Sequence, residues 1–138
     1  MGIKIKVFIV EDDQSMGDLI ELSLKINGFD VVCESMDSEY LQKLRDASPD
    51  VIIMDSNTSL PSDWNTCTTI RKVNRSPILV LSALDHPGEV VKALDAGADD
   101  FLTKPVSISV LVSRVNMLAR RKPPKQTDTL RRSASISL

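Results

Sequence analysis

Val51-Ile52-Ile53-Met54-Asp55 is the stretch whose reading decides the fold: four apolar residues closed by a carboxylate. With no polar alternation, it reads as a strand buried on both faces, as in a parallel sheet covered by helices. Such sheets carry their chemistry just outside the carboxyl ends of the strands, where Asp55 falls. A second run, Val7-Phe8-Ile9-Val10, ends the same way in Glu11-Asp12-Asp13. Two buried strands ending in acids predict one acidic pocket built from residues distant in sequence.

Working outward, strands are predicted at 5–10, 29–33, 51–55, 77–82 and 101–103. The second is short and bracketed by Asp30 and Glu34, which suits a sheet edge. A first helix over 14–27 carries Met16, Leu19, Ile20, Ser23 and Leu24 on one face, with Asp12 or Asp13 as cap and Gly28 as terminator. A second starts near Asp37-Ser38, turns Leu41 and Leu44 inward, and ends by Ser48 because Pro49 follows. A third carries Trp64, Cys67, Ile70 and Val73 at helical spacing. Its Thr66, Thr68 and Thr69 are weak helix formers. Pro87 opens a fourth, with Val90, Val91 and Leu94 facing in and Gly97 closing it. Val90-Val91 and Gly88 lower its propensity and make it the helix most easily shifted. A fifth runs over 107–121 with Ile108, Leu111, Val112, Val115, Leu118 and Ala119 in register, stopped by Pro123-Pro124.

Five strands alternating with five helices give a doubly wound α/β fold with a parallel sheet. Five strands favour the flavodoxin-like order 2-1-3-4-5, in which the chain reverses direction between the first and third strands. The crevice then lies between Glu11-Asp12 and Asp55, so topology leads to the same acidic pocket.

The length of 138 residues fits one domain over 1–121, followed by a linker over 122–138 with two Pro, three Ser, two Thr and one Gln. Residues 1–119 hold eleven basic and eighteen acidic side chains, whereas 120–138 hold six basic against Asp128 alone. An acidic body is a poor partner for nucleic acid, because Lys and Arg supply most of that affinity. Cys33 and Cys67 show no metal-type spacing and read as small core thiols in a reducing cytosol. No apolar run approaches transmembrane length, and a cytoplasmic protein with no membrane partner is expected. His86, before Pro87, reads as an exposed loop residue, and Trp64 as a packing residue of the third helix.

Three converging carboxylates repel one another unless a cation joins them. Mg²⁺ suits such a site, since it accepts one or two carboxylates and keeps waters for a phosphate. The fourth and fifth strands add the hydroxyl of Ser82 and the ammonium of Lys104 along the same rim. Together these groups suit phosphoryl transfer with Asp55 as nucleophile.

The sequence also resembles the receiver domains of two-component response regulators. The matching pieces are Val10-Glu11-Asp12-Asp13, the strand ending in Asp55, Leu81-Ser82-Ala83, and Ala96-Gly97-Ala98-Asp99-Asp100-Phe101-Leu102-Thr103-Lys104-Pro105. The resemblance covers residues 4–121, and its last block is the most specific. It implies that Asp55 accepts a phosphoryl group from a sensor histidine kinase. Mg²⁺ would be held by Glu11, Asp12, Asp55 and the main-chain carbonyl of Asn57. Ser82 and Lys104 would contact the phosphoryl oxygens, Phe101 would be the switch aromatic, and Lys104-Pro105 would be cis.

Receivers with this block and an Arg-Arg-ended fifth helix are usually followed by a winged-helix DNA-binding domain. The resemblance therefore implies a transcriptional output, with DNA met only through a downstream domain. The same subfamily dimerises through helix 4, strand 5 and helix 5, where Lys92, Asp99, Asp100 and Arg114 match charged positions and Val110 replaces an acid. Such a protein is a signalling switch rather than an enzyme, its only chemistry being phosphorylation and dephosphorylation of itself.

Departures from the pattern lie after Asp55, where Ser59 and Asp63 stand in place of the family's Pro and Gly and Pro61 is displaced. Phe101 lacks the commoner tyrosine hydroxyl, and apolar Leu84 cannot orient an attacking water. The altered loop leaves open an interaction module that needs no phosphate. A phosphatase is a third reading, since Asp55-Ser56-Asn57-Thr58 faintly resembles the D-x-D-x-T motif of haloacid-dehalogenase enzymes. It lacks the second acid, however, and follows the third strand rather than the first.

Overall fold

Apolar residues placed at successive positions of a strand go alternately to its two faces. Here both faces are covered. The computed structural model describes residues 3–11, 14–37, 39–56, 64–84 and 86–121, of 14–18 the backbone alone. The elements are β1 (Lys6–Glu11), α1 (Gln14–Ile26), β2 (Asp30–Ser35), α2 (Tyr40–Ala47) and β3 (Val51–Ser56). They continue as α3 (Asn65–Val73), β4 (Ile78–Ser82), α4 (Pro87–Asp95), β5 (Asp100–Thr103) and α5 (Ile108–Arg121). All strand pairs are parallel and the order is β2-β1-β3-β4-β5, the flavodoxin-like order expected, with β2 at an edge.

Alternation along β1, β3 and β4 divides the core into two layers. Val7, Ile9, Val51, Ile53, Leu79 and Leu81 pack with Leu24 of α1 and with Leu111, Val115 and Leu118 of α5. Phe8, Val10, Ile52, Met54, Ile78 and Val80 pack with Leu44 of α2, Cys67 and Ile70 of α3, and Ala93 of α4. Buried on both faces, these strands need no polar alternation, which is why 51–55 reads as it does.

The helix ends follow local chemistry. Gly28 (φ 92°) and Gly97 (φ 120°) take the left-handed conformations that stop α1 and α4, conformations a side chain would strain. Ser48 caps α2 in the same region, at φ 47°. Asp37 accepts a hydrogen bond from the Glu39 amide (2.9 Å), and α2 begins at Tyr40 rather than at Asp37. Ser38 and the expected caps Asp12 and Asp13 lie outside the described residues. Residues 122–138, the expected linker, lie outside them as well.

Several inward-facing expectations are corrected. Leu19, Val73 and Ile108 are exposed: Val73 and Ile108 are the last and first residues of α3 and α5, and Leu19 shares the outer face of α1 with the exposed Leu22 and Ile26, three and seven positions on. On α4, Val91 and Leu94 are 55% and 44% exposed, while Glu89 and Ala93, four apart, face the sheet. Cys33 is only half-buried, since the edge strand β2 is partly covered, whereas Cys67 is fully buried as expected. His86 is exposed at the start of α4, as read from the sequence. Among the described residues no helix is long and apolar enough to cross a membrane.

Candidate functional site

Register brings the acids together. Glu11 and Asp55 are direct partners across β1 and β3, at adjacent positions of neighbouring strands. Both are buried, at 3% and 2% exposure, beyond the last apolar residues of their strands. Like charges so placed repel, and their burial strengthens the repulsion. The Lys104 ammonium answers part of it by pairing with Asp55 Oδ1. Lys104 reaches the site because β5 ends beside β4: Ser82 partners Thr103, and the Lys104 amide donates to the Ser82 carbonyl at 2.8 Å. Its side chain also lines an apolar groove of about 200 Å³ with Ile20, Leu81, Pro105 and Leu111. The Lys104-Pro105 peptide is cis, as the resemblance implies.

Ser82, at the end of β4, is buried and its Oγ accepts a hydrogen bond from the Leu84 amide at 3.1 Å. It partners Ser56, the residue after Asp55. Asp55, Glu11, Ser82 and Lys104 therefore gather at one rim of the sheet, as the reading of the strand ends predicts. Asp12 and Asn57, the other expected metal ligands, lie outside the described residues, as do Ser59, Pro61 and Asp63 of the altered loop. Among the described residues no group of three His, Cys, Asp or Glu side chains has metal-binding proximity.

The negative potential of this rim reaches its neighbours. Burial pushes the Cys33 thiol pKa up, and a hydrogen bond to Glu11 and the charges of Glu11 and Glu21 push it further. Cys33 is thus held as a neutral thiol beside the acids.

Phe101 lies in β5 opposite Val80, partly buried, with its ring edge-on to Trp64 (centroids 6.2 Å apart, planes at 65°). Of the expected partner face, Lys92 is exposed on α4. The other three charges are engaged within the chain. Arg114 Nη1 donates to both oxygens of Asp100 (2.9 and 2.8 Å), and Arg71 pairs with Asp99 at 2.8 Å.

Two features escaped the sequence reading. Arg71 binds the Ser76 and Gly97 carbonyls (both 2.9 Å) as well as Asp99, joining the end of α3 to the turn after α4. Glu89 is 2% exposed and accepts a hydrogen bond from Trp64 Nε1 at 3.2 Å. The one signal for Glu89 was its spacing of four from Ala93, which the Val90-Val91 pair obscured.

Sheet order, buried strand-end acids and a lysine after the last strand define a doubly wound α/β domain with an acidic rim, and comparison narrows it. A family model of the response regulator receiver domain matches residues 7–116. The chain belongs to that family and is a receiver domain of a two-component response regulator. It is similar to the receiver domain of the Francisella response regulator 1452, at 33% identity and TM-score 0.74, over 87% of this chain and 100% of that one. The BeF3-activated N-terminal receiver domain of Klebsiella pneumoniae RstA is 28% identical, with TM-score 0.74, over 83% and 98%. A two-component response regulator from Clostridium difficile, 24% identical, shares the fold at TM-score 0.76 over 88% and 100%.

Proposed function

We propose that this receiver domain is a phosphoacceptor switch in which Asp55 takes a phosphoryl group from a sensor histidine kinase. The observation that carries this reading is the buried Asp55 carboxylate, paired with Lys104 and in register with Glu11. One Asp55 oxygen would attack phosphorus as the bond from phosphorus to the donor nitrogen breaks. Lys104 orients the carboxylate before transfer and neutralises charge on the phosphoryl oxygens after it. The Ser82 hydroxyl, already accepting from the Leu84 amide, has its own hydrogen to give to a phosphoryl oxygen.

The donor set fits Mg²⁺: hard oxygens only, with two buried carboxylates facing one ammonium and so an excess of negative charge. Glu11, Asp12, Asp55 and the Asn57 carbonyl would hold the ion. When bound, it supplies charge neutralisation for the transferred group. Drawing Ser82 toward a phosphoryl oxygen would favour an arrangement with Phe101 turned inward and α4 moved, altering the α4–β5–α5 face. The exposed side chains of that face include Val91, Leu94 and Lys92 of α4 and Val110 of α5, which suits a second copy of the chain. The output is proposed to be transcriptional, through a downstream DNA-binding domain.

The test is incubation with Mg²⁺ and beryllofluoride or a small acyl phosphate, followed by intact mass and Trp64 emission, with Asp55→Asn as control. A stable adduct that vanishes in Asp55→Asn, with a shift to dimer, is the expected result. Rapid turnover of many phosphate esters would make the chain a phosphatase. No adduct and no emission change would make it an interaction module independent of phosphate.

A further inference from the structure

α4 is seated on the sheet by two buried side chains, Ala93 and Glu89. An alanine offers little apolar area, and a carboxylate in that position is stable only with a donor. The donor is the Trp64 indole, whose Nε1–H lies 3.2 Å from Glu89 Oε2. Trp64 is itself only 4% exposed and stands in the left-handed region (φ 61°, ψ 14°) just before α3, a conformation that strains a bulky residue. Its ring also meets the edge of Phe101 in β5. One indole therefore touches the start of α3, the carboxylate of α4 and the aromatic of β5.

We infer that Trp64 and Glu89 are positioning residues. Their buried hydrogen bond holds α4 in its seat, and the indole ring sets where Phe101 stands. A carboxylate makes this seat two-state. A leucine leaving the core loses its burial free energy, but Glu89 leaving it regains hydration, so release is favourable once the indole bond is broken. Seated and released α4 are then discrete alternatives, and the ring that bonds Glu89 is the one Phe101 packs against. The consequence for phosphorylation rests on the phosphoacceptor reading above; the seat itself does not.

The variants are Trp64→Phe, which keeps a ring beside Phe101 but removes the donor, Glu89→Ala, which removes the acceptor, and Glu89→Gln, which retains an acceptor oxygen. Hydrogen exchange of residues 90–94 and affinity for beryllofluoride with Mg²⁺ are measured on the full chain. Trp64→Phe, which strands the buried carboxylate, is expected to speed α4 exchange about tenfold or more, with α5 unchanged, and Glu89→Ala, which loses the bond but has no carboxylate to rehydrate, by less. Trp64→Phe is also expected to tighten beryllofluoride binding about fivefold or more, because the unliganded arrangement has lost its lock. Glu89→Gln should stay close to the parent in both. Unchanged α4 exchange, or equal acceleration in α5, overturns the seat. Faster α4 exchange with unaltered beryllofluoride affinity overturns the coupling. A parent chain that ignores beryllofluoride overturns the phosphoacceptor reading and the coupling with it, while the exchange measurement still upholds or overturns the seat.

Discussion

α4 and α5 flank the same short strand, β5, yet are held to the sheet in opposite ways. α5 drives Leu111, Val115 and Leu118, at helical spacing, into the layer it shares with α1. α4 offers Ala93 and the hydrogen-bonded Glu89, and leaves Val91 and Leu94 in solvent. Around α4, polar bonds replace apolar area: Trp64 to Glu89, and Arg71 to the Gly97 carbonyl and Asp99. The contrast shows how one domain can combine a wall held by apolar area with one held by a few directed bonds. Aliphatic contacts resist small displacements on every side, whereas a few directed bonds hold one geometry and let go together.

The strongest way to break this comparison is to truncate both helices. Leu118→Ala is expected to cost about 2–5 kcal/mol in urea unfolding, since a fully buried side chain leaves a cavity. Next comes Arg71→Ala, which removes the bonds to the Ser76 and Gly97 carbonyls and to Asp99; about 2 kcal/mol of destabilisation is expected. Equal costs for Leu118→Ala and for truncation on α4 would remove the distinction. Ala93→Gly should cost only about 1 kcal/mol, chiefly through helix propensity. In the parent chain, amide exchange in α4 should outpace that in α5 under conditions where both are native.

The smallest effect concerns pH. Burial, opposed by Arg71 and assisted by Asp99, pushes the Cys67 thiol up to about 11 from an ordinary 9.0. The folded chain keeps this proton where the unfolded chain releases it. Its contribution to stability is therefore complete below about pH 9 and declines as pH rises toward about 11. Cys67→Ala should flatten part of the alkaline decline in thermal unfolding. Cys33, whose thiol is also raised, supplies a further part. A decline untouched by Cys67→Ala would contradict the burial of this thiol in the α3–α4 layer.

Most of the fold was legible in local pattern, because strands buried on both faces leave uninterrupted apolar runs and each run here ends in a polar side chain at one rim. The positions of Asp55, Ser82 and Lys104 at the ends of 51–55, 77–82 and 101–103 followed from that alone, and Glu11 joined them once strand order was derived. Helix faces were less legible where a stripe was thin. On α4 the apolar residues Val91 and Leu94 suggested an inward face that Glu89 and Ala93 occupy, and on α1 Leu19 matched the spacing without being buried.

By itself, then, the sequence determined the element order, the sheet topology and the rim on which Glu11, Asp55, Ser82 and Lys104 stand, because apolar runs, Gly and Pro act locally. The seat of α4 was decided only by tertiary structure. A glutamate reads as solvated until a donor 25 positions away in the chain, the Trp64 indole, is folded against it. The same holds for Asp99 and Asp100, whose pairing with Arg71 and Arg114 depends on which charges the packed helices bring within hydrogen-bonding reach. Burial of a polar group is permitted by its partner, and that partner is chosen by the fold.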